Sequence, residues 1–160
     1  MSIAQTLIAD FQDEAAKTRT VLATLPEDKY DWKPHDKSMS LGALGSHIAE
    51  APTWHGSMLE DVFDFDAMMA DYKPFAAANR AELLAAWDKN SAEFTAAIED
   101  RDDEFMQGVW KGMSGGKEIM GGPRHQVLRS ILVHHLIHHR AQLTVYLRLL
   151  DEPVPPTYGP

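Results

Sequence analysis

Histidine is the residue type in this chain best able to do chemistry, and half of its eight histidines fall between positions 134 and 139. His134 and His138 are spaced i, i+4, and so are His135 and His139. On a helix that spacing sets two imidazoles on one face about 5–6 Å apart. Both could then reach one metal ion at about 2.0–2.1 Å. Two ligands hold an ion weakly, so a third must come from another part of the chain. The competing reading is a set of core or interface histidines bonded to neighbouring carbonyls; two interleaved pairs on one apolar helix favour the metal. There is no cysteine, which excludes a thiolate site, a disulfide framework and a cysteine nucleophile. Any thiol chemistry must bring its thiol in with a substrate.

The element that carries these histidines reads as a long helix. Leu, Ile and Val fill most positions from Val127 to Leu150, with Pro123 in front and Pro153 behind, the punctuation of a helix start and stop. A helix apolar nearly all round is a central one, so the four imidazoles are expected to be at least partly buried. Burying a polar group without a partner costs roughly 1–3 kcal/mol. At about 100° per residue, Arg129, Arg140 and Arg148 share one sector, taken as solvent-facing. The His135/His139 pair lies about 140° from it, against about 120° for His134/His138. That preference is small.

Three further helices are expected to frame this one. Ile3, Leu7, Phe11, Ala15, Leu22 and Leu25 recur at helical intervals up to Pro26, the pattern of an amphipathic first helix. Residues 26–40 read as a long loop, and His35 within it as solvated. Ser40 is placed to cap a second helix with Leu41, Leu44, Ile48, Met58 and Leu59 inward, kinked or shifted at Pro52. His47 lies between Leu44 and Ile48, close to the inward face, and His55 lies beyond Pro52; either could supply the third ligand. Residues 63–78 read as a connection. Asn79 and Glu82 have N-cap and N3 spacing for a third helix to about Asp100, with Leu83, Leu84, Trp87, Ser91, Phe94 and Ile98 inward. Residues 104–122 hold six glycines without a helical period. Ser114-Gly115-Gly116 could turn a short hairpin between Gln107–Met113 and Lys117–Met120. No Gly-Lys-Ser/Thr follows, so a phosphate loop is not indicated. Residues 153–160 read as an extended, proline-rich tail.

The whole is expected to be one domain over residues 1–160, an all-α four-helix bundle with that hairpin before the last helix. A formal charge of −9 and a pI near 5.2 argue against nucleic acid or anionic lipid as a partner. Residues 1–14 lack a basic leader pattern, and no segment has the apolar length to span a bilayer. A soluble cytoplasmic protein is expected.

His135-Leu136-Ile137-His138-His139-Arg140-Ala141-Gln142 resembles the His-x-x-x-His-Arg-Gly-Gln motif of the DinB-like, or YfiT-like, family of metal-dependent enzymes. Leu41 to Ala49, with His47, is similar to that family's helix-two motif, and residues 153–160 to its C-terminal signature. Ala141 departs from the family's glycine without removing a ligand. The resemblance implies a metal held by His47, His135 and His139 in an up-down-down-up four-helix bundle, often a homodimer. Members include thiol-dependent S-transferases and a thiol-dependent isomerase. The DNA-damage-inducible family name indicates a stress-response setting, not polymerase activity.

Three imidazoles without a carboxylate suit zinc, nickel, copper or iron better than magnesium or calcium, zinc or nickel first. Such an ion keeps an open position, as catalytic zinc does. It can lower the pKa of bound water toward about 7 or take a thiol as thiolate. The expected function is a metal-dependent S-transferase or hydrolase acting on a small molecule, in the first case with a low-molecular-weight thiol. The alternative is a non-catalytic metal or small-ligand binding protein. No general acid or base is singled out; Glu50 and Gln142 are placed to orient the ligating imidazoles. His134 and His138, about 100° away on the helix, are expected to face a neighbouring helix or a dimer partner.

Overall fold

A computed structural model describes residues 1–159. Helix α1 (Ile3–Leu22) starts at Ser2, whose hydroxyl accepts from the Gln5 N–H while the Gln5 side chain accepts from the Ser2 N–H. This reciprocal cap satisfies two donors that a helix start leaves free. Helix α2 (Leu41–Glu50) starts at Ser40 as its sequence predicts. Pro52 then ends the α-ladder: Ala51–Trp54 form a tight 3₁₀ turn, and a short helix α3 (His55–Leu59) follows. After strand β1 (Val62–Asp64) and short helix α4 (Phe65–Asp71), helix α5 (Arg80–Ile98) begins at Asn79, whose side chain accepts from the Glu82 N–H.

Next come the short helix α6 (Asp103–Gln107) and strands β2 (Val109–Ser114) and β3 (Lys117–Pro123). The last helix is composite. It runs as α7 (Arg124–Leu128), a π turn over Arg129–His134, and α8 (His135–Leu149).

Contacts between the four long helices give their directions. Arg19 and Phe11 of α1 meet Asp88 and Phe94 of α5 in reverse order, so these two run antiparallel. Ala49 of α2 takes a hydrogen bond from Asn90 and Gly45 lies against Leu83, so α2 runs parallel to α5. Asp10 and Glu14 of α1 pair with Arg129 and Arg140 in the same order, so the last helix runs parallel to α1. The bundle is therefore up-down-down-up. Its core holds Leu7, Phe11, Leu44, Trp87, Phe94 and Leu136, each no more than 2% exposed, and burying such a side chain contributes roughly 1.5–3 kcal/mol.

A three-stranded sheet flanks the bundle in the order β1-β2-β3, with β1 parallel to β2 and β3 antiparallel. The hairpin forms at the expected glycines: Gly115 and Gly116 have φ of +57° and +70°, the positive pair that a two-residue turn of this hand requires. Three elements lie in stretches that read as connections from sequence, namely β1, α4 and α6. All are too short to carry a period, and the two helices are set by aspartate caps at Asp64 and Asp102 rather than by an apolar stripe.

The tail after Leu149 is extended, and Tyr158 anchors it to α1 and α8; Pro160, the last position of the expected tail, lies outside the described residues. One expectation is overturned here. Arg140 does not face solvent: it is 2% exposed and bonded to Glu14 of α1.

Candidate metal centre

Helices α2 and α8 pack antiparallel, each fixed by the leucines and isoleucine on its inner face. Leu44 and Ile48 bury one side of His47, and Leu136 and Leu143 hold α8. The packing brings His47 Nε2 to 3.0 Å from His135 Nε2. The His139 ring centre lies 4.7 Å from that of His47 and 4.3 Å from that of His135. One ring nitrogen from each of the three lies within 4.8 Å of the others, and no carboxylate joins the cluster. Ligand nitrogens about 2.0–2.1 Å from a tetrahedral ion are about 3.3 Å apart. The observed spacing needs only small adjustments to admit one.

Protonation fits as well. His139 Nδ1 donates to the Gln142 amide oxygen at 2.7 Å, which leaves the lone pair on Nε2 and fixes the ring's orientation, as a partner of a ligating imidazole does. Burial pushes His47 down to about 4, with His139 adding to the shift. Burial also pushes His135 down to about 4, reinforced by His139, His47 and His138. His139 is lowered too, chiefly by burial, with the Gln142 hydrogen bond working in the opposite direction. At neutral pH all three are uncharged donors, the form that a metal takes. Two imidazole nitrogens facing each other at 3.0 Å need a shared proton or a shared cation, and the donor set fits a divalent ion.

The other histidines are elsewhere. His55 turns Nδ1 to the Pro52 carbonyl at 2.7 Å and lies tilted against Phe94, ring centres 5.9 Å apart, so the turn at Pro52 takes it away from the cluster. His35 is exposed and accepts from the Lys37 N–H. His125 sits against the Met106 carbonyl. His134 and His138 are exposed: no neighbouring helix covers them, contrary to that part of the expectation, because α1 and α2 cover other faces of the last helix. Of the two residues expected to orient the imidazoles, Gln142 does so. Glu50 instead accepts from the Tyr72 hydroxyl at 2.6 Å and from the Phe75 N–H at 3.4 Å.

His47 also forms part of the wall of a cavity of about 620 Å³. Trp54, Phe63, Phe65, Met68, Tyr72 and Trp110 supply much of the rest. Trp54 packs against His47 and His135, with ring centres 5.2 and 5.1 Å away. Burial and the neighbouring Glu50 push the Tyr72 hydroxyl up to about 12, so Tyr72 is a fixed donor. Sequence reasoning missed this wall. Trp54 was within reach, since it lies seven residues after His47 and so on the same side of the helix. The β1–α4 wall comes from the parallel pairing of β1 with β2, for which the local sequence carries no sign.

Comparison with known proteins bears on the whole chain. A family model described as "DinB family" matches residues 1–160. Among solved structures, a DinB-like protein from Bacillus cereus ATCC 10987 superposes with a TM-score of 0.73 at 17% identity, covering 96% of this chain and 97% of that one. The DinB-like protein YjoA from Bacillus subtilis gives a TM-score of 0.73 at 18% identity, with 96% and 98% covered. YfiT from Bacillus subtilis, described as a probable metal-dependent hydrolase with an unusual four-helix bundle topology, gives 0.66 at 16% identity, with 92% and 87% covered. At these identities the likeness is one of fold. No curated protein matches significantly.

Proposed function

The chain belongs to the DinB family, and we propose that it is a metal-dependent hydrolase of a small molecule, with His47, His135 and His139 holding one divalent ion, zinc or nickel. The observation that carries this reading is the three-nitrogen cluster, one member of which, His47, also lines the cavity. The description of YfiT as a probable metal-dependent hydrolase on the same fold supports it. When bound, such an ion supplies Lewis-acid chemistry that favours the deprotonated form of water or of a thiol.

The chain's own residues have separate tasks around that position. Gln142 holds the His139 ring with Nε2 inward. Trp54 packs on His47 and His135 and limits their rotation. The aromatic wall excludes water from the side where substrate enters, which strengthens polar interactions inside. With no cysteine in the chain, a thiol can take part only as a second substrate.

The test is metal analysis of protein purified without a histidine tag, followed by turnover of small esters and amides with and without added thiol. One equivalent of zinc or nickel and thiol-independent hydrolysis are expected. Turnover that requires a low-molecular-weight thiol would replace this reading with an S-transferase. Tightly held metal with no turnover of either kind would leave a metal-binding protein.

A further inference from the structure

The cavity beside the three histidines has an uneven charge that the proposed reaction does not call for. Its lining contains one carboxylate, Glu50, and no lysine or arginine. Glu50 takes hydrogen bonds from the Tyr72 hydroxyl at 2.6 Å and the Phe75 N–H at 3.4 Å. No ion pair among the described residues includes it. Much of the remaining lining is rings and thioethers: Phe63, Phe65 and Trp110 pack within 6.4 Å of one another, centre to centre, and α4 adds Met68 and Met69.

Taking this cavity as the substrate site of the reading above, we infer that it receives an uncharged, aromatic or aliphatic substrate body, and that Glu50 sets this specificity by turning away carboxylates and phosphates. An apolar body replaces water against the rings, and methionines adapt to its shape. An anionic group in the same space meets the Glu50 carboxylate in a wall that offers no lysine or arginine to offset it. At a separation of about 4–6 Å that repulsion corresponds to roughly tenfold or more in affinity. Tyr72 keeps the carboxylate in place, because its hydroxyl is spent on Glu50 and cannot turn to welcome an anion.

Three probes of equal bulk separate the cases: 1-naphthalenemethanol, 1-naphthoate and 1-naphthylmethylamine, each titrated calorimetrically into the full chain before and after chelator treatment. Chelated protein gives the decisive arm, since a bound ion would itself attract a carboxylate. The alcohol should bind at least tenfold more tightly than naphthoate. In Glu50→Gln the two should come within about threefold, through a gain in naphthoate binding. Tyr72→Phe keeps the charge but no longer fixes the carboxylate, so it should lower the discrimination without abolishing it; unchanged discrimination in this variant overturns the inference even where Glu50→Gln folds poorly.

Equal binding of alcohol and naphthoate to the unmodified chain overturns the inference, as does discrimination that survives Glu50→Gln or absence of binding by the alcohol. An amine bound tenfold more tightly than the alcohol overturns the uncharged class. Metal content is read separately on the protein as purified. Absent metal with discrimination intact sinks the hydrolase reading alone, and metal present without discrimination sinks only this inference.

Discussion

Replacing Arg140 with methionine should destabilise this protein more than any substitution at the metal ligands. Arg140 is 2% exposed and Glu14 8%. The guanidinium donates to the Glu14 carbonyl at 3.0 Å, to Thr18 Oγ1 at 3.2 Å, and to Glu14 Oε2 and the Tyr158 hydroxyl at 2.6 Å each. Removing it leaves a buried carboxylate with only Tyr158 at 2.6 Å and Lys17 at 3.3 Å. Breaking one side of such a pair costs about 3–5 kcal/mol, a large share of the roughly 5–15 kcal/mol that holds a domain together. At about 2–4 °C per kcal/mol for a chain of this size, the midpoint should fall by roughly 6–20 °C.

Removing both charges together, in Glu14→Leu with Arg140→Met, should recover much of that loss, because no uncompensated charge remains. Tyr158→Phe removes one bond and should cost about 1 kcal/mol. The assays are thermal and urea denaturation of metal-free protein, since a bound ion would stabilise the folded state by mass action. A loss below about 1 kcal/mol for Arg140→Met, or strictly additive effects in the double variant, would refute the reasoning.

Four further outcomes are expected. Alanine at His47, His135 or His139 should abolish stoichiometric metal binding, while glutamine at both His134 and His138 leaves it intact; elemental analysis after dialysis decides. Gln142→Ala should weaken metal affinity by about 10–100-fold, the usual effect of losing an orienting partner, measured by competition with a chromogenic chelator. Because folding lowers the pKa of His47 and His135 from 6.5 to about 4, protonation favours the unfolded chain. Metal-free stability is therefore full above about pH 6.5 and falls toward pH 4 by on the order of a few kcal/mol, and His47→Gln with His135→Gln should flatten the urea midpoint over that window. For Glu14, burial acts to raise the pKa, but hydrogen bonds from Tyr158, Arg140 and Lys17 outweigh it, and the net shift is downward from 4.5; its contribution is present above that value and lost as pH falls through its lower folded pKa, a step that should vanish in the double variant with Arg140→Met.

Three of the long helices were legible because each has a stripe and a cap, and the last by its apolar run between Pro123 and Pro153. Ser2 with Gln5, Ser40 and Asn79 are short-range signals that the fold uses where they stand. The Gly115-Gly116 turn was equally local. What escaped depends on pairs far apart in sequence. The β1 register, Phe63 beside Gly112, joins residues forty-nine apart, and nothing within either segment selects the other. The cavity inherits that obscurity, since Phe63, Phe65 and Tyr72 reach it only through this pairing and through the hydrogen bond to Glu50.

The arginines gave only a small preference between the two histidine pairs, the choice itself resting on the family motif, and their true role changes that argument. Arg129 and Arg140 both reach α1 rather than standing free in solvent. Asp10 and Glu14, one turn apart on α1, receive them. A buried arginine is uncommon without a partner, and the acidic pair at i, i+4 was visible as a match only once α1 and α8 were known to run side by side. A different face of the helix turns to α2, and His135 and His139 meet His47 there. The π turn over Arg129–His134 also sits inside the stretch over which the angles were counted. Such a turn adds a residue to the ladder, so positions before and after it do not share one wheel. Counting only within α8, Arg140 alone would favour His134 with His138, whose mean direction lies about 140° from it against about 120° for His135 with His139; the packing of α2 on α8, not the arginine sector, turns His135 and His139 to His47. The Arg140–Glu14 clamp adjoins His139 on the same helix, which is why loosening the clamp should weaken metal binding as well as stability.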